Sequence, residues 1–140
     1  MNKAILSAAI LLISLTGQAY ATTSTAATLT IDAAQNCLDT STGILTQTAY
    51  ADTVLDAGKY LVSYTSNTMI PQDGSPNLID TVIMRGLSYK TPGPLNWGIA
   101  FKKDTIIRVA KGDVMTISAF IIDWPCNDNS GSATITFKKI

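Results

Sequence analysis

Apolar and polar residues alternate with a period of two along most of this chain. Tyr60, Val62 and Tyr64 fall on one side of a stretch whose other side carries Leu61, Ser63 and Thr65. Ala133, Ile135 and Phe137 alternate in the same way with Thr134 and Thr136. Successive side chains of a strand point to opposite faces, so this period predicts half-buried β-strands. Strands are expected over 29–33, 44–50, 59–66, 78–84, 97–101, 105–109, 114–122 and 132–140. In the 114–122 stretch Met115, Ile117, Ala119 and Ile121 oppose Val114, Phe120 and Ile122, so both faces are apolar at its far end. That pattern predicts a central strand covered on both sides.

Breaks in the pattern supply the turns. Asp56-Ala-Gly58 and Ala110-Lys-Gly-Asp113 have turn chemistry, and Arg85-Gly86 marks the end of a strand. The segments 67–77 and 87–96 are rich in Pro, Gly and Asn and predict two long loops, a length often associated with function. Some eight short strands and no helical periodicity predict an all-β fold, an antiparallel β-sandwich with jelly-roll or Greek-key connections.

Composition adds an address and removes several chemistries. Lys3, the apolar run Ala4 to Leu15 and the small residues of Ala19-Tyr-Ala21 have the layout of a secretory signal cleaved after Ala21. The apolar run is shorter than the ~20 residues of a membrane span, so no stable span is expected after cleavage. Residues 22–140 then form one domain, secreted or periplasmic. In an oxidising compartment the two cysteines, Cys37 and Cys126, read as one disulfide. Two free thiols in a redox or metal site are the alternative, but there is no CxxC spacing.

The sequence has no His, and all ten acidic residues are Asp. His-based triads and zinc sites are therefore absent. Asp73, Asp80, Asp113 and Asp123 are the aspartates that a glycosidase pair would draw on, but no local signature singles them out, and no enzymatic activity is expected. Basic and acidic residues balance, ten against ten, so no nucleic-acid partner is expected.

The chemistry that remains is oxygen ligation. Between the last two strands, Asp123-Trp-Pro-Cys-Asn-Asp-Asn-Ser-Gly131 gathers Asp123, Asn127, Asp128 and Asn129 beside Trp124 and Cys126. Ca²⁺ takes six to eight oxygens of this kind, and an aromatic face can stack on a sugar ring. The same residues also make an ordinary polar hairpin turn. Trp124 is placed equally well at the sandwich rim or in solvent, whereas Trp97 is expected in the core.

At this loop the sequence resembles bacterial calcium-dependent, galactose-binding lectins of the PA-IL type. These end a strand in Asp, pass through a Pro-containing loop and present Asn/Asp-Asn-Ser-Gly before a final strand. Here that pattern reads Asp123-Trp-Pro125, then Asp128-Asn-Ser-Gly131 and a strand to Phe137. The resemblance implies that Asp123, Asp128 and Asn129 ligate calcium that also holds sugar hydroxyls. The loop is shorter here, the family's sugar-contacting His has no counterpart, and Asn67 to Asp73 is the nearest equivalent of its early carbonyl-donating loop. The expected function is an exported, non-enzymatic carbohydrate-binding module, with a structural or protein-interaction module (a toxin-like subunit or surface component) as the alternative.

Overall fold

The computed structural model describes residues 25–41, 46–47, 50–88 and 95–140. The signal-like segment, most of the expected 44–50 strand and the middle of the second long loop, with Tyr89, lie outside them. Eight strands are formed among the described residues: β1 (Thr25–Asp32), β2 (Cys37–Asp39), β3 (Thr46–Gln47), β4 (Ala51–Asn67), β5 (Val82–Ser88), β6 (Leu95–Phe101), β7 (Thr105–Asp123) and β8 (Ser132–Lys139). No helix among the described residues is long and apolar enough to cross a membrane.

Two long strands organise the molecule. β4 and β7 pair antiparallel from Ala51↔Ala119 to Val62↔Thr105, with a register shift between Asp56 and Gly58. At the shift Ala57 alone faces Ala110 to Asp113, and such bulges bend and twist a strand. The shift also exchanges the faces of β4. Ala51 and Leu55 are buried before it, Tyr60 and Val62 after it, while β7 buries Ile107 and Val109 on one side of the bulge and Met115, Ile117, Ala119 and Ile121 on the other, all odd-numbered. The expected turns at Gly58 and Gly112 are therefore not turns. Gly112 does take a positive φ of 80°, the conformation that favours glycine, but within a strand that continues past it.

Either side of the bend the ribbon is extended by different neighbours. β5 joins the later half of β7 (Ile83↔Phe120 to Ser88↔Met115), and β6 joins β5. β8 joins the later half of β4 (Tyr60↔Lys139 to Asn67↔Ala133), and β1 joins β8. The sheet folds over into two layers, a sandwich-like arrangement. Met84, Met115 and Ile117 from one layer and Val62, Ile135 and Phe137 from the other form the core. Tyr64 on β4 stacks on Phe101 of β6 with ring centroids 4.7 Å apart and ties the layers together.

Other differences from the sequence reading have local causes. β1 starts at Thr25, because the Thr/Ala stretch pairs with β8. Cys37 to Asp39, outside every expected strand, is a strand parallel to the end of β7. Leu78 to Thr81 is not strand: Leu78 is exposed, and the Ile79 N–H is taken by the Met69 carbonyl at 2.8 Å. Arg85-Gly86 does not end β5. Gly86 is buried because the Trp97 indole lies over it, where a Cβ would collide with the ring. β7 is central, but its outer face is only partly covered, with Val114 and Ile122 exposed.

Candidate functional site

The 123–131 loop sits at the end of the molecule away from the bend. Its entry is fixed by β2. Asn36 O accepts from Ile121 N at 2.8 Å, and Asp123 O accepts from Thr40 N at 3.1 Å and from the Thr40 hydroxyl at 3.2 Å. A cis bond joins Trp124 to Pro125, and Cys126–Asp128 makes one 3₁₀ turn. Cys126 is disulfide-bonded to Cys37, with Cα atoms 5.9 Å apart. The backbone N–H of Cys126 donates to Asp39 Oδ2 at 3.4 Å. Ser41, through its side chain and backbone, and then this Cys126 N–H hold the Asp39 carboxyl below its ordinary range.

The loop's exit is fixed from two further directions. Ser130 and Ile70 exchange backbone hydrogen bonds at 3.0 and 3.1 Å, and the Ser130 hydroxyl donates to Asp73 Oδ1 at 3.1 Å. Gly131 has φ 81° and packs against the Thr68 carbonyl so closely that a Cβ would overlap it. The Asn67–Asp73 segment thus lies against the loop.

The site residues divide clearly. Asn129 is buried, 6% exposed, with Nδ2 donating to Ala33 O at 3.2 Å and resting on Cys37 Sγ at 3.6 Å. Its Oδ1 has no hydrogen-bond partner, and neither does the buried Oδ1 of the adjacent Asp128. Asp123 is half-buried, with Oδ1 accepting from Trp124 N at 2.7 Å. Asn127 is exposed, and Trp124 stands 69% exposed. Trp97, by contrast, packs on the core, its Nε1 donating to Met115 Sδ at 3.2 Å.

Comparison with family models, curated proteins and solved structures finds no match. The chemistry of the loop therefore rests on its own atoms. Among the described residues no group of three or more His, Cys, Asp or Glu side chains converges as a metal site. Amide and backbone oxygens are also ordinary calcium ligands. Nearby aspartates are already engaged: Asp32 Oδ1 accepts from Ala34 N and Gln35 N, and Asp39 Oδ1 from Ser41 N. Asp128 and Asn129 differ in keeping one buried oxygen each without a donor. A buried polar atom without a partner costs about 1–3 kcal/mol, so the pair is a specific feature of this loop.

Ile70 and Asp73, from the 67–73 segment already named, and Asp39 and Thr40 complete the site. Asp39 and Thr40 were not singled out by sequence, although one signal pointed to them. A Cys37–Cys126 bridge brings Asp39 and Thr40 to the loop, two and three residues beyond the cysteine.

Proposed function

We propose that this protein is an exported, non-enzymatic carbohydrate-binding module that holds Ca²⁺ in the 123–131 loop. The reading is carried by two buried oxygens of successive residues, Asp128 Oδ1 and Asn129 Oδ1, which no protein donor satisfies. A hard cation is a partner that oxygens of this kind accept, with Asp123 and Asn127 as the other oxygen side chains of the loop. Calcium supplies charge and open coordination positions for sugar hydroxyls. The chain's part is rigidity: the disulfide, the Ser130–Ile70 pairing and the Asn129–Ala33 bond fix the oxygens before any ligand arrives. Trp124 offers an exposed aromatic face beside them. The disulfide accords with the exported address read from residues 1–21.

The test is direct. CaCl₂ at millimolar concentration is expected to raise the melting temperature, reversibly with chelator, and Asp128→Ala is expected to abolish the rise. A glycan array with and without chelator then reads sugar binding, which Trp124→Ala should weaken without lowering the melting temperature. An unchanged melting temperature at millimolar calcium removes the metal. Chelator-insensitive glycan binding would retain the sugar and drop the ion. Exposed Ile122 next to exposed Trp124 favours the second reading, a protein-contact surface. That reading predicts no glycan signal in either condition.

A further inference from the structure

The near-zero net charge conceals a separation of charges along the molecule. Asp32, Asp39, Asp73, Asp123 and Asp128 cluster at the loop end, where Lys102 is paired with Asp80 at 3.4 Å. Lys59, Arg108, Lys111, Lys138 and Lys139 gather at the opposite end, around the bend in β4 and β7. Lys59 and Arg108 occupy directly opposed positions of the β4–β7 ladder. Like charges in that relation repel and destabilise a sheet. Among the described residues neither forms an ion pair, nor does Lys111; Lys102–Asp80 is the one pair there.

Folding alone gives no reason for this arrangement, but a ligand does. Ala57, Gly58, Lys59, Arg108, Val109, Ala110 and Lys111 line a surface hollow of about 400 Å³. A fourth cation is fixed at its rim. Lys139 passes over Gly58, where an added Cβ would come within 2.7 Å of its Cε, and its Nζ donates to Ala57 O at 2.9 Å. Of the nearby aspartates, Asp113 is buried and bound to the Ser88 hydroxyl at 2.5 Å and to Val114 N at 2.8 Å. Asp56 is exposed, and Ile140 is held beside Lys59, its N–H donating to Lys59 O at 2.9 Å.

We propose that the hollow at the β4–β7 bend binds a tetrahedral oxyanion, a phosphate or sulfate group, between Lys59, Arg108 and Lys111. Arginine's planar fork matches two oxygens of such a group, and the lysines add point charges. The hollow falls within the ~300–1,000 Å³ range of small-ligand sites. That is more than a free ion fills, which leaves room for an ester on a larger molecule, here a sulfated or phosphorylated saccharide. No aromatic side chain lines the hollow to stack a base, which sets it apart from single-stranded nucleic-acid grooves. The site is remote from the 123–131 loop and does not depend on calcium.

The test is calorimetric titration of the full chain at low ionic strength with sodium sulfate, sodium phosphate and a heparin-derived tetrasaccharide. Saturable binding is expected, at least tenfold tighter for the tetrasaccharide. Lys59→Gln/Arg108→Gln should weaken it at least tenfold and, by relieving repulsion, keep or raise the melting temperature. Lys102→Gln/Lys103→Gln makes the same change in net charge at the other end and should leave binding intact. Equal affinity for sulfate and tetrasaccharide supports the oxyanion site and assigns its source as the free ion. No saturable binding, equal loss in both double variants, or binding retained in Lys59→Gln/Arg108→Gln overturns the proposal. So does tighter Arg108-dependent binding of an oligothymidylate than of the tetrasaccharide.

Discussion

Two glycines with the same backbone conformation separate strain from crowding. Gly112 and Gly131 have φ values of 80° and 81°, but a Cβ at 112 meets nothing within 4 Å, whereas one at 131 overlaps the Thr68 carbonyl. Gly112→Ala is expected to cost about 1–2 kcal/mol from the left-handed conformation alone. Gly131→Ala should cost clearly more, since either the Thr68 strand end or the loop must move. Urea denaturation of the two variants checks the order, and equal losses would contradict the packing described. Titration offers a second test at this scale. Burial, and secondarily the Asp80 charge, push the Tyr64 hydroxyl up to about 12. The folded state then keeps a proton that the unfolded chain loses near pH 10. Tyr64's contribution is complete below about pH 10 and is lost as pH rises towards 12. Melting temperatures from pH 9 to 12 should fall less steeply in Tyr64→Phe than in the wild type.

At the scale of the element, the number of strands matched expectation through compensating errors. Two expected strands merged into β7, and β2 formed where no strand was expected. The merger was invisible because Ala110-Lys-Gly-Asp113 has the composition of a turn, and a bulge opposite Ala57 uses the same residues to bend a strand without reversing it. β2 was invisible because three residues carry no readable period, and its parallel pairing depends on Ile121 to Asp123, more than eighty residues away. The alternation in β8 and in the later half of β4 was legible because one face of each is buried and the other is not. In the candidate site the oxygen-rich loop was legible from its local density of Asp and Asn. Which oxygens would lack partners was not, because Ala33, Asp39 and Ile70 come from distant sequence. The Cys37–Cys126 bridge spans 89 residues, and removing a native bridge typically costs about 2–5 kcal/mol. Cys37→Ala/Cys126→Ala should show that loss in denaturant melts, and a calcium-induced melting shift should shrink with it, since Asn129 rests on Cys37. A full calcium response without the bridge would mean that the loop is positioned by its hydrogen bonds alone.

At the scale of the whole molecule, the bent sheet gives two ends of opposite character: an acidic loop end pinned by the disulfide and a basic bend lined by Lys59, Arg108 and Lys111. The same bend bears on how the fold comes apart. In a sandwich of two separate sheets, one layer can loosen while the other persists. Here β4 and β7 each run through both layers, so each layer is built on half of the same two strands. Each layer has one ladder of its own, β5–β6 in one and β1–β8 in the other, but each is tied to the rest of the molecule through β7 or β4. Amides such as those of Leu55, Val62, Met84 and Ile135 are therefore expected to exchange with solvent through one shared global opening, with a common free energy. Native-state exchange in rising denaturant should merge them into a single isotherm. Two isotherms divided by layer would mean that the ribbon parts at the Ala57 bulge. With a single isotherm, occupation of either of the two ligand sites proposed at opposite ends would slow exchange in both layers.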